Sequence, residues 1–162
     1  MKMMPKILAV FTIMLTIVSI ADANTDVVEQ VFDGDTLSVN LPGEMLKIRL
    51  YGIDAPNGGQ HGNVAATRFL RRLALDHPVK IKIMDTELLK WPLAIVIREN
   101  KESSVNAAMV GNGYAWVNSK ICTAEECRYW KQLESKARAL KLGIWSDPDA
   151  VPPWEFEMQQ RR

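Results

Sequence analysis

The chain has no excess of either charge: 20 Lys and Arg stand against 19 Asp and Glu in 162 residues, a formal net charge of +1. That balance excludes a protein whose affinity comes from neutralising phosphates over its whole surface, so any nucleic-acid contact must be a local patch. Only two cysteines occur, too few for a framework of several bridges. There is no internal repeat and no low-complexity tract, so the chain must bury one ordinary core. The long apolar run, residues 7–20, is fourteen residues, short of the roughly 20 a spanning helix needs.

That run has another explanation. Lys2 and Lys6 precede it and Ala21-Asp22-Ala23 follows, which is the basic, apolar, small-x-small pattern of a secretory signal peptide. Residues 1–23 are therefore expected to be cut off after Ala23. The alternative, an uncleaved anchor, suits the run's length less well. A periplasmic or secreted protein follows, with no stable membrane insertion after cleavage. The mature chain keeps 139 residues, one domain's worth. Taking away Lys2, Lys6 and Asp22 leaves eighteen charges of each sign. A monomer is expected, with one domain over residues 24–146 and a tail, residues 147–162, that carries three prolines and forms no second domain. In an exported chain Cys122 and Cys127 suggest one disulfide, with two buried thiols as the alternative.

The periodicity gives a coarse order of elements. Residues 26–32 have the β-branched content of a strand. Leu37 and Val39, then Leu46, Ile48 and Leu50, alternate as two half-buried strands around the turn-forming residues 40–44. Asn63 can cap a helix over residues 64–76, with Arg68, Arg71 and Arg72 on its solvent side. In residues 78–84, Val79, Ile81 and Ile83 alternate with Lys80 and Lys82, and residues 92–98 form another strand. Ser104 can cap a short helix, and residues 114–117 make a brief strand. Thr123 and Glu126 spell a capping box for a last helix with Trp130, Leu133, Ala137 and Leu140 on one face and Gly143 as its stop. Five strands broken by a helix before the fourth is the order of an OB-fold barrel, here α+β with three helices.

Residues 33–57 carry the chemistry. Asp35 starts one hairpin strand and Asp54 lies just past the end of the other, so a folded hairpin brings the two carboxylates together with Arg49. Oxygen ligands suit Ca²⁺ or Mg²⁺, and a guanidinium forks onto phosphate oxygens. Taken singly, Asp33-Gly34-Asp35 and Gly52-Ile53-Asp54-Ala55-Pro56 could each be no more than a turn.

Together, V-x-D-G-D-T (residues 31–36), R-L-x-G-I-D-A-P (residues 49–56), L-A-x-V-x (residues 93–97) and L-G-I-W (residues 142–145) resemble the signature of the staphylococcal-nuclease-like family, the thermonucleases. The resemblance runs from Val28 to Trp145 and independently implies the OB fold. It implies a Ca²⁺ ion held by Asp35, Asp54 and the backbone carbonyl of Ala55, a phosphate clamped by Arg49, and nucleic acid or another phosphodiester as partner. Two family functions are unmet. Where the family has a glutamate directly after D-x-P, this chain has Asn57, an amide that can place a water but cannot take its proton. Where the family has a second arginine, this chain has Trp91, with Lys90 one position away. Glu44, Glu87 and His61 are nearby in sequence, but no spacing selects one of them as a substitute base. The expectation is an exported protein that binds Ca²⁺ and a phosphodiester and hydrolyses it weakly or not at all. An active Ca²⁺-dependent endonuclease working through substituted groups is the alternative, and an exported structural or polysaccharide-associated module the third reading.

Overall fold

The structure, a computed structural model, describes residues 26–86 and 91–161. The expected signal peptide, Glu87 and Lys90 lie outside the described residues. Five strands form one sheet: β1 (Val27–Val31), β2 (Thr36–Leu41), β3 (Glu44–Leu50), β5 (Val79–Asp85) and β6 (Leu93–Arg98), in the order β1-β2-β3-β6-β5. All pairings are antiparallel except β3 with β6. The two edges of the sheet approach each other where Val27 bridges Pro78. There Val28 N–H donates to His77 C=O (3.2 Å) and Val79 N–H donates to Asp26 C=O (2.8 Å). The sheet is thus partly closed, as an OB-like barrel requires. Val28, Leu37, Val39, Ile48, Leu50, Leu93 and Val96 of these strands are all buried.

The helices cover this core. α1 (Asn63–Ala74) buries Ala66, Leu70 and Ala74, and α2 (Val105–Gly111) is capped by Ser104, whose hydroxyl accepts from Ala107 N–H (3.1 Å). α3 (Glu126–Ala139) buries Trp130 and Ala137. Cys122 and Cys127 form the expected disulfide, with Cα atoms 5.7 Å apart. No described helix is long and apolar enough to cross a membrane.

Several local expectations give way to tertiary contacts. Asn63 does not cap α1. It is the first helical residue, Gly62 is the cap in a left-handed conformation (φ 88°), and Asn63 Nδ2 instead donates to Pro56 C=O (2.8 Å). The capping box does not form either. The Tyr51 hydroxyl accepts from the N–H groups of Thr123 (2.9 Å) and Ala124 (3.1 Å) and also pairs with Thr123 Oγ1 (3.2 Å), so that side chain is engaged elsewhere. Because α3 ends at Ala139, before Gly143, Leu140 falls off the apolar face and is 69% exposed. Ile83, on the edge strand β5, is 44% exposed.

The segment after Gly143 departs furthest from expectation. Gly143–Ser146 form a 3₁₀ turn, and Pro153–Gln160 form a fourth helix, α4. Its three prolines read as an ordered or half-ordered tail, with no helix counted in it. However, Pro153 occupies the first helical position, where its missing N–H has no intrahelical partner to lose and its fixed φ favours the helix. The brief strand expected over residues 114–117 forms as β7 (Trp116–Val117), and it pairs antiparallel with a short additional strand, β4 (Ile53–Asp54).

Candidate active site

Cross-strand register assembles the site. Thr36 on β2 is paired with Arg49 on β3, which sets Asp35 beside the guanidinium. Arg49 is in turn in register with Leu93 of β6, and its N–H donates to Pro92 C=O (2.9 Å), so residue 91 lies at the same end of the sheet. The chain then turns at Gly52, whose φ of +73° disfavours a side chain. A Cβ there would also sit 2.5 Å from Cys122 Sγ. Beyond the turn, the pairing of Asp54 with Trp116 fixes the second carboxylate. Gly34 permits the last approach: a Cβ on it would stand 2.6 Å from the Ala55 Cβ and 2.8 Å from the Ala66 Cβ. The D-G-D turn can therefore lie directly on the D-A-P segment only without a side chain.

The result is a tight cluster. Arg49 Nε donates to Asp35 Oδ1 (3.1 Å) and its Nη2 to Asp35 Oδ2 (3.1 Å), a two-pronged pair. The same Nη2 donates to Asp54 Oδ1 at 2.5 Å. Asp35 also accepts from Thr36 Oγ1 (3.0 Å) and from Ala55 N–H (3.0 Å), so all four of its lone-pair directions are used. Asp35 is 3% exposed and Asp54 is 7% exposed. The Arg49 side chain keeps 26% exposure, so it is the member of the cluster that can reach a ligand from solvent.

Burying two carboxylates together has an electrostatic consequence. Burial first, and the neighbouring Asp35 second, push the Asp54 carboxyl up from its ordinary 3.8 to about 7, while Arg49 pulls the other way. Burial and Asp35 also raise Asp33, whose Oδ1 accepts from Asp35 N–H (3.0 Å). One guanidinium thus balances a pocket that would accept more positive charge.

Comparison with known proteins places this architecture. A family model described as staphylococcal nuclease homologue matches residues 47–147, more than half of the chain. The chain belongs to this family. A protein named micrococcal nuclease from Shigella flexneri is 30% identical over 158 residues, covering 91% of this chain and 90% of the relative. The protein named ParB from Escherichia coli is 32% identical over 142 residues, 82% of this chain and 78% of the relative. An uncharacterised endonuclease of Escherichia coli O157:H7 is 33% identical over 127 residues, 78% of this chain and 80% of the relative.

Against that family background, the other candidate residues separate clearly. The Trp91 ring stands under the Lys47 ammonium (4.0 Å), which also lies over Phe32 (3.8 Å), so a lysine held between two rings occupies this rim of the nuclease-like site. Glu44 pairs with Leu41 at the far end of the hairpin, five residue pairs from Arg49. At about 3.4 Å per residue that is too far to serve the site. His61 is exposed and pairs with Asp147 (Nδ1 to Oδ2, 3.5 Å). Asn57 is the surprise. Its Nδ2 donates to Glu157 Oε1 at 2.6 Å, a contact with α4 across one hundred residues. Sequence reasoning missed Glu157 because nothing local marks it. The one available signal was Pro153 as a helix start, which would have placed residue 157 on a regular helix.

Proposed function

We propose that this chain is an exported, Ca²⁺-dependent phosphodiesterase acting on nucleic acid, weaker than a site with two phosphate-binding arginines. The observation that supports it best is the pair of buried carboxylates, Asp35 and Asp54, joined by a half-exposed arginine. The donor set suits a hard cation. It offers only oxygen, it concentrates negative charge where water cannot screen it, and burial together with the neighbouring Asp35 holds one carboxyl well above its ordinary pKa. Asp35, Asp54 and the Ala55 carbonyl would hold Ca²⁺, which when bound supplies Lewis-acid polarisation of a phosphate oxygen. Among the described residues no cluster of three or more His, Cys, Asp or Glu forms a metal site. Two carboxylates and a carbonyl imply a weak site, roughly 10⁻⁴–10⁻³ M.

Arg49 does two tasks in sequence. Without substrate it neutralises both aspartates, and with substrate it turns its exposed edge to a phosphate oxygen, leaving Asp35 lone pairs for the cation. Trp91 offers a flat ring for a base, as OB folds use for single strands, while Lys47 contributes one point charge and no fork. The missing second guanidinium should lower the rate by roughly 10²–10³.

The test is cleavage of single-stranded DNA and of RNA by the mature protein, with Ca²⁺ and with chelator. Slow, Ca²⁺-dependent cleavage is expected. Salt-sensitive retention on DNA without any cleavage would support a binding module instead. Neither binding nor cleavage would leave the exported structural or polysaccharide-associated reading.

A further inference from the structure

The end of the chain does not merely pass near the site. Three separate contacts fasten it to the loop that follows Asp54. Asn57 N–H donates to Gln60 Oε1 (3.0 Å), and Gln60 Nε2 donates onward to Val151 C=O (2.7 Å), so a buried glutamine ties the loop to the segment before α4. His61 pairs with Asp147 (3.5 Å). Val151 and Phe156 share a small cavity with Gln60, Trp116 and Ile144. The segment leading into α4 is thus tied to that loop by a buried amide and by the His61–Asp147 pair, and α4 itself buries Pro153. On α4, Glu157 meets Asn57, three residues past Asp54, at 2.6 Å.

The site as described has a gap that this contact fills. Hydrolysis needs a group to orient the attacking water and accept its proton, and that group must stand at hydrogen-bond reach of the water with a basic lone pair free. Asp35 is fully engaged by Thr36, Arg49 and Ala55, and Asp54 is tied to Arg49. Asn57 has no proton affinity near neutral pH. Glu157 differs from all of these. It is half exposed, its Oε1 takes one hydrogen bond from Asn57, and its Oε2 pairs with the exposed Arg161 at 3.8 Å. Such an exposed pair is worth little and yields readily.

We propose that Glu157 is the water-activating carboxylate of this nuclease, delivered by the C-terminal helix and aimed by Asn57. The inference rests on the hydrolytic function proposed above. In the step it serves, a water oxygen attacks phosphorus and the bond from phosphorus to the leaving sugar oxygen breaks. The water's proton passes to a Glu157 carboxylate oxygen, solvent protonates the leaving oxygen, and Glu157 then returns its proton to solvent. The negative charge of Glu157 is also felt at Asp54, as the smallest of the influences that act on that carboxyl.

The experiment compares the natural mature chain with Glu157→Gln, Glu157→Asp and the pair Asn57→Glu/Glu157→Gln. Each is measured for single-turnover DNA cleavage in Ca²⁺, for equilibrium DNA binding, and for hydrogen-exchange protection of the α4 amides without metal. Glu157→Gln should keep α4 protected and bind DNA as tightly or slightly more tightly, while cleavage falls roughly 10²–10⁴-fold. Glu157→Asp keeps the charge but withdraws it by one methylene. It should lose at least about tenfold, and it decides the matter if glutamine undocks the helix. The paired variant moves the carboxylate onto residue 57 and should recover at least about tenfold over Glu157→Gln. If Glu157→Gln and Glu157→Asp cleave within threefold of the natural chain, or faster, this inference is overturned and the hydrolytic function stands. If the natural chain binds DNA and leaves it intact, the hydrolytic function fails and the inference with it.

Discussion

Replacing Arg49 by methionine tests the electrostatic description of the site most directly. Methionine fills a similar volume and removes the three hydrogen bonds that Arg49 gives to Asp35 and Asp54. Both carboxylates would then be buried with no cation against them. Removing one partner of a buried ion pair costs about 3–5 kcal/mol, because the other charge is left desolvated and unpaired. For a domain of this size that corresponds to a fall in Tm of roughly 12–20 °C. The loss should depend on pH. Arg49 is the influence that holds the Asp54 carboxyl down, so without it Asp54 protonates more easily and should do so above its value of about 7. Arg49→Met should therefore show this loss in full at pH 8.5 and recover much of it at pH 5.5, where one of the two charges is gone. It should also respond more strongly to Ca²⁺ than the natural chain does, since no guanidinium competes for Asp35. With a dissociation constant of about 10⁻³ M, 10 mM Ca²⁺ would add about 1.4 kcal/mol. Thermal melts at the two pH values, with and without Ca²⁺, measure all three effects. A variant that melts within a few degrees of the natural chain at pH 8.5, or whose loss ignores both pH and Ca²⁺, would refute this account.

Without metal, the natural chain should itself grow less stable as pH rises from about 4 to about 7, then level off. The folded state holds the Asp54 proton that the unfolded chain has already lost, a term of at most about 4 kcal/mol; urea midpoints flat across that window would contradict it. Trp91→Arg should raise Ca²⁺-dependent cleavage by up to about 10²-fold, by adding a second fork at the end of the sheet that carries Arg49. An unchanged rate in a folded variant would place the phosphate elsewhere. Asn106, fully buried, accepts from Val96 N–H (3.1 Å) and donates to Tyr51 C=O (2.9 Å) and Ala94 C=O (3.2 Å). Asn106→Ala should cost about 2–4 kcal/mol by orphaning those groups; a loss under 1 kcal/mol in denaturant titration would show that water replaces the amide. Free-thiol titration of the unreduced protein should find no reactive cysteine. Cys122→Ser/Cys127→Ser should cost less than the roughly 3 kcal/mol of a fifteen-residue loop, because this loop is much shorter.

Whatever is encoded over a few residues could be read from the chain alone. The period-2 runs of the hairpin, with Gly43 in its turn, set which side chains of β2 and β3 face the core. The register that follows brings Asp35 against Arg49. The order of strands and the first three helices follows from the same short-range patterns, as does the adjacency of Cys122 and Cys127 around the start of α3. Tertiary structure decided the rest, wherever two segments compete for one group. Thr123 could have capped α3, but its hydroxyl pairs with the Tyr51 hydroxyl instead. Asn63 could have capped α1, but the helix starts at Asn63 itself, after Gly62, and the amide is held by the Pro56 carbonyl. Ile83 alternates like a core residue and ends exposed, since burial depends on which strand covers an edge. The carboxylate beside Asn57 arrives from a proline-rich segment one hundred residues away. Its position depends on how a buried glutamine and a few apolar side chains seat a terminal helix. Local sequence patterns extend over a few residues and carry no information about a contact at that separation.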